Sequence, residues 1–229
     1  MKGAAKTMGD LRLAIYDFDG TLYHGDALVD FWLFDLRRRP AALRHLPRQA
    51  GAVLMWRLGL ISVEAAKEAL LAPLCGMSGP QLAERVRWFW RETGLKRIPR
   101  WVPGALRQDR ARGLTPLCIS ASPDFLLAGA LSRLGFEHWI CTETAFAKGV
   151  PKLHRRRGKR RLWILGLNCR GRQKPLRLLR WSRRERVRPD IEKVVSDRPE
   201  ELILFPSARH TYLVRGGRPP LPVHPASLM

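Results

Sequence analysis

The sequence predicts an α/β protein: a doubly wound parallel sheet with a small helical domain inserted after the first strand. Three observations predict it. An apolar run at residues 11–16 stops at Asp17-Phe18-Asp19-Gly20-Thr21-Leu22, the pattern of a buried strand that delivers acids and a turn at its carboxyl end. About 70 residues of helical periodicity follow. From residue 114 onward, short apolar runs alternate with helical segments, as in parallel strands joined by helical crossovers.

Apolar residues at three- and four-residue spacing predict helices from residue 27 through Phe34, then over 41–60, 63–74 and 81–92. Pro40, Gly59 and Gly79-Pro80 punctuate them, and Ser62 and Ser78 stand at N-cap positions. Trp88 and Trp90 could line a cleft, but an aromatic stripe at helical spacing is more often core. A second strand is expected at 114–119, ending in Ser120-Ala121-Ser122-Pro123-Asp124. Pro123 reads as the first helical residue and Ser122 as its N-cap, leaving the Ser120 hydroxyl free beside a helix N-terminus that favours an anion. Further strands are expected at 138–141, 191–195 and 211–214, with a helix at 174–184. The resulting division is a core of residues 11–25 and 97–215, a helical insertion at 26–96, and a disordered Pro-rich tail at 216–229.

Composition limits the partners. The 229 residues are 45% apolar, enough for a substantial core. No run approaches the ~20 apolar residues needed to span a bilayer, and the longest candidate, 50–61, is interrupted by Arg57. The first ten residues hold two lysines and lead into the acidic strand motif, unlike a secretion signal, so a cytoplasmic location is expected, with peripheral membrane association left open. Cys75, Cys118, Cys141 and Cys169 are widely spaced, which argues for reduced thiols over a zinc site or disulfide framework. Net charge is +22. Residues 148–188 hold 17 Lys or Arg against the single acid Glu185, marking a possible docking surface for nucleic acid or an anionic membrane.

The strand-end acids carry the chemistry. In open α/β sheets, ligands bind outside the carboxyl ends of the strands, and the Gly20 turn lets Asp17 and Asp19 face one crevice. A carboxylate nucleophile beside a carboxyl proton shuttle is the minimal kit for an aspartyl-phosphate intermediate. Such chemistry needs a cation and a metal. Magnesium prefers a few carboxylates with water and substrate oxygen, so an acid at another strand end should complete its site. Asp197, after Val194-Val195-Ser196, is the metal-ligand candidate, with Glu201 one helical turn on as its support. Taken alone, Ser196-Asp197-Arg198-Pro199-Glu200-Glu201 also reads as an ordinary helix N-terminus. Lys174, opening a helix before the last acidic strand, is the cation candidate, though a solvated surface lysine fits its local sequence equally well.

The ordered set Asp17-x-Asp19-Gly20-Thr21, Ser120, Lys174 and Asp197 resembles the four motifs of the haloacid dehalogenase-like superfamily. The segment Ile119-Ser120-Ala121-Ser122-Pro123, with Asn168-Cys169-x-Gly171-x-x-Lys174, resembles its phosphoserine-phosphatase-like branch. The resemblance spans residues 11–214. It implies a Rossmann-like core and makes residues 26–96 a helical cap. It also implies that Asp17 attacks phosphorus while Asp19 protonates the leaving oxygen and then activates water. Ser120 and Lys174 would hold phosphoryl oxygens, and Mg2+ would bind the Asp17 and Asp197 carboxylates and the Asp19 carbonyl. Glu201 departs from the pattern, which usually has aspartate there. The function implied is a Mg2+-dependent phosphomonoesterase acting on a small phosphorylated substrate. The segment 31–60 loosely resembles phosphatidylglycerophosphate phosphatases, making a lipid phosphate the alternative substrate. A different class of reading is a nucleic-acid-binding protein on a retired phosphatase fold, with Trp163 and Trp181 stacking on bases.

Overall fold

A computed structural model describes residues 9–75, 77–144, 146–147, 150–151, 153–156, 159–162 and 167–228. Strand β1 (Gly9–Tyr16) is followed by helices α1 (Ala27–Arg38), α2 (Leu46–Arg57), α3 (Val63–Leu71), α4 (Gly79–Glu92) and α5 (Val102–Ala111). Next come β2 (Thr115–Pro123), α6 (Asp124–Arg133) and β3 (His138–Thr142). Two short antiparallel pairs follow, β4 (Phe146–Ala147) with β5 (Val150–Pro151) and β6 (Leu153–Arg156) with β7 (Lys159–Leu162). The chain closes with α7 (Gln173–Glu185), β8 (Val187–Ser196), α8 (Pro199–Leu202), β9 (His210–Leu213) and β10 (Leu221–Val223).

The six-stranded sheet runs β10-β9-β8-β1-β2-β3, parallel throughout except for the edge strand β10. The chain builds outward from β1 to β2 and β3, then crosses back to place β8 on the other side of β1. That reversal opens a crevice at the carboxyl end of β1. The period-two alternation of β1 decides its packing. Leu13 and Ile15 join Leu178, Trp181 and Leu202 on one face, whereas Ala14 and Tyr16 join Leu106, Leu126 and Leu131 on the other. The second cluster continues through Phe18, Tyr23, Phe31, Phe89 and Trp90, so the helices between β1 and β2 share the core of the sheet. Phe18 stacks on Tyr23 at 5.8 Å, and Trp90 donates its indole N–H to the Leu126 carbonyl at 2.7 Å. Trp90 is therefore core, while Trp88 on the opposite face of α4 is exposed.

Several expectations are corrected. The helix expected over 41–60 is a 3₁₀ segment, Pro40–His45, followed by α2, because Pro47 cannot donate into a continuous helix. Residues 221–223 pair with β9, so the tail is not wholly irregular; Pro222 is tolerated because β10 is an edge strand. Ser122 is not an N-cap: Pro123 keeps an extended conformation (ψ 141°), β2 runs through it, and α6 starts one residue later. Trp181 is buried beside His138 and cannot stack on a base. Trp163 and Arg157, both in the proposed basic docking stretch, lie outside the described residues. Helix α5 and the two strand pairs add to the elements expected from the sequence. Among the described residues, no helix is long and apolar enough to cross a membrane.

Candidate active site

Asp17 sits one residue beyond β1, its amide donating to Val195 O at 3.0 Å, so the β1–β8 ladder itself aims the carboxylate. It is buried, and Lys174 Nζ lies 2.7 Å from its Oδ1. The same ammonium donates to Glu201 Oε2, which also accepts from Ser196 Oγ at 3.2 Å. Lys174 is 2% exposed, which excludes a solvated surface lysine. Burial alone would push its pKa down; Asp17 and Glu201 outweigh that and hold it above the usual lysine range. Glu201, expected to stand behind a metal, is thus the second counter-ion of this lysine. Burial and the Asp17 charge push its carboxyl up, with Lys174 opposing them.

Asp19 is held by the turn that follows. Its Oδ1 accepts the Ala27 amide at 2.8 Å and its Oδ2 accepts the Ser122 hydroxyl at 2.6 Å. Burial, then the charges of Asp26 and Asp17, raise its pKa to about 7, against the two donated hydrogen bonds. Ser120 is fully buried, and its Oγ accepts the Ser122 amide at 3.0 Å. Among the lining residues of the cavity below, Ser122 represents this strand end together with Ala121.

Asp197 follows β8. Its amide donates to Thr21 Oγ1 at 2.9 Å, and its side chain lies against Gly20, whose φ is +77°. Burial and the nearby Asp17 charge push its carboxyl up. Asp17 thus repels both Asp19 and Asp197, and an oxygen-only donor set under mutual repulsion suits a hard divalent cation. Gly20 keeps clear the space that a Cβ would fill beside Asp197. Among the described residues, no group of three or more His, Cys, Asp or Glu side chains is placed to hold a metal ion by itself. Magnesium commonly takes only one or two carboxylates, with water and substrate oxygen, so the residues present fit it.

A cavity of about 230 Å³ lies over these groups, lined by Asp17, Asp19, Lys174, Glu201, Ser122 and Asn168 below, and by Trp56, Val63 and Lys67 from α2 and α3. Arg170 and Arg198 also face it. Lys67 Nζ donates to Ala121 O at 2.7 Å and Asn168 Oδ1 at 2.9 Å, while Glu64 Oε1 accepts the Asn168 amide at 2.9 Å. Helix α3 is therefore fastened across the mouth of the site by two charged side chains. Burial lowers the Lys67 pKa, with Asp19 and Asp26 opposing it. Sequence reasoning missed Lys67, Ser122 and Arg198. Lys67 has no local motif at all, since its role comes from where α3 lands; Ser122 was legible as a hydroxyl but assigned to the wrong job.

A family model for haloacid dehalogenase-like hydrolases matches residues 14–200. No curated protein sequence matches the chain. A solved protein of unknown function from Bordetella pertussis Tohama I is 20% identical with a TM-score of 0.72, covering 88% of this chain and 89% of that one. A phosphoserine phosphohydrolase-like protein from Francisella tularensis subsp. tularensis SCHU S4 is 14% identical with a TM-score of 0.56, over 88% and 86% of the two chains. A phosphoserine phosphatase solved as a phospho-aspartyl intermediate analogue is 14% identical with a TM-score of 0.53, over 88% and 85%. At these identities the structural likenesses establish a shared fold. Since the family model covers most of the sheet and both acidic strand ends, the chain belongs to the haloacid dehalogenase-like hydrolases.

Proposed function

We propose that the protein is a Mg2+-dependent phosphomonoesterase that works through an aspartyl-phosphate on Asp17. The observation that carries this reading is the buried Lys174 ammonium fixed to Asp17 Oδ1 at the floor of the cavity, with Asp19 lining the same space. Lys174 fixes the orientation of the Asp17 carboxylate, leaving its other oxygen to attack phosphorus, and offsets charge on the transferring group. Asp19, held by the Ala27 amide and the Ser122 hydroxyl, gives its proton to the leaving oxygen and later takes one from the attacking water. Ser120, whose Oγ accepts the Ser122 amide and keeps its own proton to give, and Lys174 supply donors for phosphoryl oxygens. The Asp17 and Asp197 carboxylates and the Asp19 carbonyl would hold Mg2+, which when bound neutralises phosphoryl charge.

Residues 26–96 act as a cap, a reading supported by Trp56, Val63 and Lys67 lining the cavity and by the Glu64 and Lys67 bonds to the sheet side. The cavity is smaller than the roughly 300–1,000 Å³ typical of drug-sized ligands, which favours a small phosphorylated metabolite. Phosphate release from a panel of phosphomonoesters, including an aryl phosphate, with Mg2+ or with chelator, tests the proposal. Metal-dependent turnover that disappears in Asp17→Asn supports it; turnover that survives in Asp17→Asn overturns it.

A further inference from the structure

Helix α2 leaves its apolar carboxyl end uncovered. Gln49 is the buried residue of this helix, accepting from Trp32 Nε1 at 3.1 Å and donating to Leu70 O at 3.1 Å. Its large apolar residues Leu54, Met55 and Trp56 are exposed, while Leu46, Ala52 and Val53 are half-buried. Every residue from 54 to 60 is exposed, and this run reads Leu54-Met55-Trp56-Arg57-Leu58-Gly59-Leu60. Leu54, Leu58 and Leu60 are 58%, 64% and 67% exposed, and Leu43 is exposed on the preceding 3₁₀ segment. A concentration of large apolar side chains at one helix end marks an interaction site rather than ordinary surface scatter.

Charge narrows the occupant. Residues 43–60 hold no acid and three exposed arginines, Arg44, Arg48 and Arg57, whereas Arg38 and Arg39 just before them are paired with Glu92 and Asp35. A second copy seated on this patch would bring the same arginines face to face on a protein of net charge +22. An anionic bilayer meets both properties at once, since apolar side chains insert at the headgroup boundary while the arginines meet lipid phosphates. Trp56 joins the two regions, being exposed within this run and also lining the catalytic cavity.

We propose that residues 43–60 form a docking element for anionic membrane surfaces, holding the protein with its cavity mouth toward the lipid headgroups. The element lies on the helical insertion and is separate from the basic stretch 148–188.

Co-sedimentation with vesicles of phosphatidylcholine alone, or of equal parts phosphatidylcholine and phosphatidylglycerol, tests this with the full chain. Binding is expected to the mixed vesicles and to fall roughly tenfold or more in the double variant Leu58→Asp, Leu60→Asp. Both side chains are exposed, so the thermal transition of that variant should match wild type, separating lost docking from lost fold. A second variant, with Arg155, Arg156, Arg160 and Arg161 replaced by serine, should lose less binding. The inference fails if mixed vesicles are not bound, or if the serine variant loses more binding than the aspartate variant. It also fails if the wild type is a dimer that the aspartate variant converts to monomer, which would assign the patch to a second copy. None of these outcomes depends on the enzyme's turnover.

Discussion

Gly20 and Asp197 share one space: a Cβ at Gly20 would lie 2.1 Å from Asp197 Oδ2. Glycine at position 20 therefore lets the turn after β1 and the end of β8 close on each other without displacing the Asp197 carboxylate, and it also supplies the positive φ. Gly20→Ala should cost about 1–3 kcal/mol of stability from backbone strain alone. It should also displace the Asp197 carboxylate. Turnover is expected to need markedly more Mg2+, read from titrations of activity against metal, with the stability loss read from urea unfolding.

Glu201 is the shorter-range test of the buried triad. Glu201→Gln leaves Lys174 with Asp17 as its counter-ion and removes one acid that Asp17 repels. Breaking a buried pair costs ~3–5 kcal/mol, and the remaining Asp17 contact should bring the loss below that range. Urea unfolding should show destabilisation, and kcat should fall as Lys174 settles more tightly on Asp17.

The Asp19 carboxyl gives a pH dependence of definite sign. Its folded pKa of about 7 lies above its ordinary value of 3.8, so the folded state binds the proton more tightly than the unfolded chain. Its contribution to stability is fully present below 3.8 and is lost as pH rises through about 7. In metal-free protein, Asp19→Asn should therefore melt above wild type at pH values beyond 7, with the advantage shrinking toward acid. Thermal melts in chelator across that range provide the measurement, and an advantage that grew toward acid would contradict this reading. Ser122→Ala removes a hydrogen bond that lowers the Asp19 pKa, and should shift this transition upward in pH.

The fastening of α3 predicts a dynamic effect. Lys67→Met removes the bonds to Ala121 O and Asn168 Oδ1 while leaving the apolar stem to pack. Hydrogen exchange at residues 63–71 should accelerate, with little change in the strands of the sheet. If the amides of β1 and β8 accelerated equally, the lysine would be supporting the global fold instead of this local closure.

The sheet class and the acidic motif at the end of β1 are legible in the sequence. An apolar run ending in Asp17-x-Asp19-Gly20 is a local pattern, because strand burial, turn geometry and the acids all lie within ten residues. The sequence also marked Ser120, Lys174 and Asp197 as an ordered set. Which groups they contact is not legible there, because their partners are remote in sequence. Lys174 meets Asp17 across 157 positions, and Thr21 meets the Asp197 amide across 176. Glu201 became a counter-ion of Lys174 because α8 follows β8 directly beside Asp17. Ser122 became a donor to Asp19 because β2 runs one residue further than its proline suggests. The exposed apolar end of α2 has the same cause: periodicity reports that a helix has an apolar side, while the neighbouring helices decide how much of that side is covered.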